Sequence, residues 1–266
     1  MRIKEITSPH NATFLKFLKL QQGQEIRKSG LSFLSGPKQV QEVIKDYPEH
    51  CAAILLNQDH APAKELDLSQ IQSYRLSPQL FKKIDIYGTG QPLIIIKIDS
   101  LPQWSDQSWT KGCTLFVPFQ DPINVGAVVR SAAAFGVSHL VILQEAAHPF
   151  HHKALRVAGS TVFRVPIFRG PSIKDLTEPR FPIFTLSPDG EDIGHFRFPD
   201  TFGLLPGLEG PGIPSDLGGL KSLGIPMLNR VESLNAGTAT GITLYLWYSQ
   251  TRQADPIEFV DTIRFK

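Results

Sequence analysis

From residue 114 onward the chain alternates short, unbroken apolar runs with stretches of helical spacing, and no other feature of the sequence restricts its fold as tightly. Residues 114–118 (TLFVP), 140–143 (LVIL) and 202–205 (FGLL) are apolar at almost every position. A strand with one wet face alternates apolar and polar side chains. A strand that is apolar throughout is covered on both faces, as in the parallel sheet of an α/β protein. Between the first two runs, Val125, Val128, Val129, Ala132 and Gly136 follow helical spacing. Residues 162–168 and 181–186 read as further strands, and 236–249 as a long apolar closing helix. The expectation is a parallel sheet with helices on both faces.

The N-terminal part has its own pattern. Phe14, Phe17, Leu18 and Leu20 predict a short amphipathic helix with Asn11 as its cap. Residues 54–56 and 93–98 read as buried strands, and 38–47 as a helix between them. The polar, turn-rich stretch 101–112 (LPQWSDQSWTKG) reads as a linker. This predicts a small α/β domain at 1–105 and a second domain at 106–266.

Charge and cysteine usage narrow the function classes. The net charge is only +2, so nothing global demands nucleic acid. Up to Lys45, however, eight basic side chains stand against three acidic ones. Lys16, Lys19, Arg27 and Lys28 are close enough in sequence to share a surface, and basic side chains bind phosphates by releasing counterions. Taken alone, a solvated helix face explains them equally well. Cys51 and Cys113 form neither a disulfide framework nor a zinc pattern, which fits a reduced, cytoplasmic setting. No apolar run approaches the roughly 20 residues of a membrane helix, and the first residues lack the apolar core of a signal peptide.

Ligands of open parallel sheets bind beyond the carboxyl ends of the strands. Three loops at such places are rich in Gly, Asn, Ser or Glu. In 121–136 (DPINVGAVVRSAAAFG), Asn124 is a candidate helix cap, Gly126 permits close backbone approach, and Arg130 interrupts a small apolar helix. In 204–212 (LLPGLEGPG), three glycines surround Glu209. In 225–247, Ser233 and Asn235 flank the start of the last helix, where unpaired N–H groups accept polar partners. Each loop alone has a capping or turn explanation.

In this order the three loops resemble the signature motifs of the SpoU/TrmH family of RNA 2′-O-methyltransferases, part of the SPOUT superfamily. The first motif, Asn-x-Gly with a following Arg and Ala-x-x-Phe-Gly, is filled by Asn124, Gly126, Arg130, Ala132, Phe135 and Gly136. The second, Gly-x-Glu-Gly-x-Gly, is filled by Gly207, Glu209, Gly210 and Gly212. The third, Ile-Pro-Met followed by Ser-Leu-Asn, is filled by Ile225, Pro226, Met227, Ser233, Leu234 and Asn235. More loosely, Ser8, Asn11, Arg27 and Lys28 resemble elements of the family's N-terminal RNA-binding extension. Two departures stand out: Leu208 replaces a small polar residue, and 236–239 read Ala-Gly-Thr-Ala where Val-Ser-x-Ala is usual.

The resemblance implies a parallel sheet tied into a deep trefoil knot, a homodimer through the knotted region, and S-adenosylmethionine as methyl donor. It implies that Gly207, Ile225 and Leu234 hold the adenosine through backbone groups, with Leu205, Gly210 and Met227 beside them. It casts Arg130 as the group that activates the ribose hydroxyl. A free guanidinium, with a pKa of about 12.5 or more, is a poor base, so Arg130 is better read as binding the target phosphate and stabilising the developing alkoxide. Asn124 would fix Arg130 or the ribose, and Glu209, Ser233 and Asn235 would orient the site. No metal is expected. The substrate would be structured RNA, ribosomal rather than transfer RNA, gripped by Lys16, Lys19, Arg27 and Lys28. The rival from another class is a catalytically silent RNA-binding protein on the same scaffold, which would have no need of intact Asn124, Arg130, Glu209, Ser233 and Asn235. A dinucleotide enzyme would carry a GxGxxG after its first strand, and none follows here.

Overall fold

A computed structural model describes residues 3–59, 68, 71–176, 179–208, 217, 219–228 and 232–254, the side chains of 252–254 excepted. The N-terminal elements are β1 (Ile3–Ile6), α1 (Ala12–Lys19), α2 (Gly23–Ser29), β2 (Leu31–Leu34), α3 (Pro37–Asp46), β3 (Cys51–Asn57), β4 (Ser73–Leu76), α4 (Pro78–Ile84) and β5 (Leu93–Lys97). The strands form a mixed sheet of order β1-β4-β3-β5-β2. Asn11 caps α1 as expected: its side chain accepts from the backbone N–H groups of Thr13 and Phe14 at 2.9 and 3.2 Å. Gly30 closes α2 in the left-handed region at φ 63°, which a glycine adopts without steric cost.

The second set comprises β6 (Gly112–Val117), α5 (Pro122–Phe135), β7 (His139–Ile142), α6 (His152–Ala158), β8 (Ile167–Arg169), β9 (Ile183–Asp192), β10 (Thr201–Leu205), β11 (Lys221–Gly224) and α7 (Ala236–Ala254). Its six strands run in the order β11-β9-β10-β6-β7-β8, and every pairing is parallel. The chain enters at β6 in the middle and builds outward through β7 to β8. It then crosses to the other side for β9, β10 and β11, so strand order reverses beside β6.

Three expectations need correction. The apolar strands are covered on both faces, but among the described residues α-helices cover only one of them. Leu115, Val117, Leu140 and Leu204 face a core that also holds residues of α5, α6 and α7, including Val125, Val129, Leu155 and Leu244. The alternate residues Phe116, Val141 and Leu205 face Trp104, Ile173, Leu176 and Leu217, which lie in short 3-10 turns and irregular segments. An all-apolar strand reports burial, not the kind of element that buries it. Residues 162–168 are mostly not strand either: a 3-10 turn at Gly159–Phe163 precedes the three residues of β8. Asn124 is not the cap of α5, because Asp121 accepts from the Ile123 N–H at 2.9 Å and Pro122 begins the helix.

The stretch 101–112 is packed against the sheet. Trp104 is buried, its N–H donates to the Arg169 carbonyl, and the Arg169 N–H donates to the Pro102 carbonyl, both at 2.8 Å. One continuous core also joins the two sheets: Leu34, Val40, Ile54 and Ile94 belong to the same cluster as Val125 and Leu155. The second face of the N-terminal sheet packs separately on Phe14, Phe17, Leu80 and Phe81 from α1 and α4. No helix among the described residues is long and apolar enough to cross a membrane.

Candidate active site

Beyond the carboxyl ends of β6, β9, β10 and β11, beside the point where strand order reverses, lies a cavity of about 460 Å³. Parallel sheets place ligands at such points. Each wall comes from a different segment. Asn124 enters from the first turn of α5, and Pro206, Gly207 and Leu208 follow β10. Leu223 lies near the end of β11, Ile225 and Met227 follow it, Ser233, Leu234 and Asn235 lead into α7, and Ala236 and Ala239 lie in its first turn.

Two asparagines tie the floor together. The Asn235 side-chain oxygen accepts from the Thr238 N–H at 3.1 Å and so caps α7. That fixes which end of the amide faces inward. Its nitrogen donates to Asn124 Oδ1 at 3.1 Å. α5 and α7 run side by side from this contact. Ala127 Cβ and Asn124 Oδ1 lie 3.7 and 3.4 Å from where a Cβ on Gly237 would stand, and Ser131 faces Gly241 in the same way. Small residues let the two helix starts approach.

The remaining wall comes from β9. Its pairing with β11 runs Phe184–Lys221 and Thr185–Ser222, then jumps to Glu191–Leu223 and Asp192–Gly224. The five residues 186–190 are therefore an excursion from the ladder, and Leu186, Ser187 and Pro188 line the cavity. Gly190 and Gly224 make this possible. A Cβ on Gly224 would stand 2.7 Å from the Gly190 carbonyl oxygen, and one on Gly190 would collide with the Leu223 backbone. A smaller cavity of about 350 Å³ adjoins the first, bordered by Asp192, Pro226, Leu228 and Glu232.

The sequence motifs thus meet in part. Asn124, Gly207, Ile225, Met227, Ser233, Leu234 and Asn235 all line the larger cavity. Leu205 does not: strand alternation turns it to the opposite face, where it is fully buried in the Trp104 cluster. Arg130 does not either. It stands exposed on α5, six residues beyond Asn124, and enters no ion pair among the described residues. Glu209 and Gly210 lie outside the described residues. Lys16, Lys19, Arg27 and Lys28 are exposed on α1 and α2, away from the cavity lining. Sequence reading missed Leu186, Ser187 and Pro188. The Ser-Pro-Asp-Gly run at 187–190 was the available signal, because turn residues inside a strand mark a departure from the ladder. Burial pushes the Cys51 thiol up to about 11, assisted by Glu49, and raises Cys113 as well, so neither offers a thiolate.

Residues 114–245, which carry every one of these cavity residues, match the model of the SpoU rRNA Methylase family. The chain belongs to the SpoU rRNA methylase family. Among relatives, it is 44% identical over 255 residues to Ribosomal RNA small subunit methyltransferase G 2 of Syntrophobacter fumaroxidans, covering 94% of this chain and 51% of that protein. The chain therefore spans about half the length of that relative. It is 27% identical over 249 residues to the 23S rRNA (guanosine(2553)-2′-O)-methyltransferase RlmP of Bacillus subtilis, covering 91% of this chain and 98% of that one. In fold it is similar to the SpoU methyltransferase AviRb of Streptomyces viridochromogenes, solved in complex with AdoMet, at a TM-score of 0.74 and 21% identity over 91% of this chain and 100% of that one. An AdoMet-bound rRNA methyltransferase from Sinorhizobium meliloti aligns at a TM-score of 0.76 and 21% identity, covering 93% of this chain and 98% of that one.

Proposed function

We propose that this protein transfers a methyl group from S-adenosylmethionine to a ribose 2′-hydroxyl of ribosomal RNA. The observation that carries the reading is the convergence of three family motifs on one cavity, tied by the Asn235–Asn124 hydrogen bond. The residues present fit the cofactor. The volume of about 460 Å³ is within the range of small-molecule sites. Leu186, Leu223, Ile225, Met227 and Leu234 offer apolar surface for a flat adenine, and Asn124, Ser187, Ser233 and Asn235 offer polar atoms for its ribose and amino-acid ends. When bound, the cofactor supplies a sulfonium-activated methyl group. The chain's own task is to bring the ribose into line and lower the cost of charge on its oxygen. Asn124, held by Asn235, would position the ribose, and Ser233 would orient groups at the rim. Arg130, permanently charged, would hold the neighbouring phosphate and stabilise the alkoxide as it forms. Glu209 would orient the site by hydrogen bonds, and Gly210 would contribute to cofactor binding.

The names of the relatives favour ribosomal RNA over transfer RNA. The small-subunit name belongs to a protein of which this chain spans half, so the subunit is left to experiment. The exposed basic residues Lys16, Lys19, Arg27 and Lys28 would bind RNA phosphates. The part of the chain leading from β10 into α7 would carry the trefoil knot. A second copy would pair through the outer face of α5 and α7, where Ile123 and Tyr245 are 50% and 55% exposed. Arg130 shares that side of α5 with Ile123, seven residues away, so pairing would place it at the junction between protomers.

Two measurements test this reading. Purified protein is incubated with methyl-labelled S-adenosylmethionine and ribosomal or transfer RNA, and the RNA is digested to nucleosides. A 2′-O-methylated nucleoside from ribosomal RNA is expected, and label on a base would overturn the proposal. Sedimentation of the wild type and Tyr245→Glu reads the pairing. A dimer that the variant splits is expected, and a monomeric wild type would refute that part.

A further inference from the structure

The joint between the N-terminal sheet and α6 is built from aromatic and imidazole rings, and cations surround it. His152 is buried, stacks on Phe33 with ring centroids 5.1 Å apart, and shares a 3.0 Å hydrogen bond with the Tyr87 hydroxyl. His151 lies against His152, 4.3 Å between centroids, and its ring is 3.1 Å from where a Cβ on Gly23 would stand. Ser32 closes the joint from β2 by donating to the Phe150 carbonyl at 2.6 Å.

Four cations from three different elements lie around this joint. The Arg156 guanidinium lies 4.8 Å from the Tyr87 ring centroid and donates to Ser35 Oγ at 3.4 Å. Lys153 follows the two histidines on α6. Lys83, on α4, accepts the Gln21 amide through its backbone carbonyl at 2.8 Å, which places α4 beside the residues that precede Gly23. Arg27 stands on α2 near His148. All four are exposed, and none enters an ion pair among the described residues. Two of the nearby carboxylates are engaged elsewhere, and Glu25, on α2 with Arg27, enters no ion pair among the described residues. Asp85 accepts from Thr89 and Gly90, and Glu42 accepts from Ser160 and faces Lys38.

We propose that Arg27, Lys83, Lys153 and Arg156 form a phosphate-binding seam for the RNA substrate, carrying its backbone from the N-terminal sheet onto the helices beside the cavity. The inference rests on the methyltransferase reading and adds a contact surface to it. The seam lies one helix away from the site, because α6 packs on α5 through Gly126, where a Cβ would meet the Ala154 carbonyl and, at 2.9 Å, Val157. Packed helices lie roughly 8–10 Å apart, and Asn124 is two residues from that contact. The positive potential of the seam is already felt by its histidines. Burial first, then Arg27, hold His148 down to about 4, and burial followed by Lys153 lowers His151. A field that opposes protonation of imidazole also attracts phosphate, and neutralising each phosphate releases counterions.

The test is binding of a fluorescein-labelled RNA hairpin to the full chain between about 50 and 200 mM salt. Wild type and the double variant K83Q/K153Q are compared, with K174Q, an exposed lysine on another face, as the control. Because both substituted side chains are exposed, the fold is expected to survive, and a matching unfolding curve verifies it. The double variant should bind at least tenfold more weakly near 0.1 M salt, and its slope of log affinity against log salt should fall by about 2, near 0.9 per phosphate. The control should match the wild type. An unchanged slope in the double variant overturns the seam, even if S-adenosylmethionine still binds. A wild type that binds the hairpin through the seam but takes no S-adenosylmethionine overturns the methyltransferase reading and leaves the seam standing.

Discussion

The Asn235 amide nitrogen donates to Asn124 Oδ1 at 3.1 Å, joining residues 111 positions apart at the starts of two neighbouring helices. The same Asn235 caps α7 through its oxygen, so one side chain performs a stabilising and a positioning task. The tasks can be separated. Asn235→Asp keeps the capping acceptor but has no amide hydrogen to give Asn124. Its stability should stay within about 0.5 kcal/mol of wild type, because Asp and Asn cap about equally well, while methyl transfer falls at least tenfold. Asn235→Ala should lose both, with about 1 kcal/mol of stability gone. Urea unfolding beside single-turnover rates checks both variants. Equal activity in Asn235→Asp and wild type would show that the bond to Asn124 has no catalytic consequence.

Much of this arrangement is legible in the sequence. The apolar runs locate β6, β7 and β10, Asn11 announces α1, and three loops in family order predict a shared cavity. What escapes is set by long-range geometry. Asp121 outcompetes Asn124 for the cap because Pro122 fixes the helix start one residue after Asp121, and only the fold shows that Asn124 is then available to Asn235. Leu205 is two residues from Gly207 in sequence, yet the two-residue period of a strand sends it to the far face. The excursion at 186–190 depends on Gly190 meeting Gly224 across two strands, and local spacing does not report that pairing. The joint around His152 unites residues from β2, Tyr87 and α6 that share no sequence pattern.

Gly126 should tolerate no side chain. The Ala154 carbonyl and Val157 Cβ occupy the space a methyl group would need, and the carbonyl belongs to a helix backbone that cannot rotate away. Gly126→Ala gains a little helix propensity, about 1 kcal/mol at most. Overpacking at a helix contact costs about 1–3 kcal/mol, so net destabilisation is expected, read as a lower urea midpoint. A stabilised variant would mean that α5 and α6 are less closely packed than described.

Stability should fall on mild acidification. His148 and His152 are each held down to about 4, first by burial, against about 6.5 for a free imidazole. The unfolded chain therefore takes up protons before the folded one does. Their contribution is complete above pH 6.5 or so and is lost progressively as pH falls from about 6.5 towards about 4. Urea midpoints should drop between about pH 7.5 and pH 5. His152→Phe keeps the stack on Phe33 but cannot titrate, so its midpoint should drop less over the same interval. An identical drop would remove His152 from the account.

Arg130 gives the sharpest separation of binding from chemistry. It stands outside the cavity lining, exposed on α5, so removing it leaves the walls formed by Leu186, Ile225 and Leu234 untouched. Arg130→Ala should therefore bind S-adenosylmethionine within a few fold of wild type in calorimetry. Transfer should fall by two to three orders of magnitude, as on removing one preorganised donor to a developing oxyanion. Arg130→Lys keeps the charge but not the planar fork that pairs two oxygens of a phosphate, so its rate should lie between the two. Rates for Arg130→Lys as low as for alanine would point to bidentate geometry rather than charge. Full activity in Arg130→Ala would remove this residue from the reaction altogether.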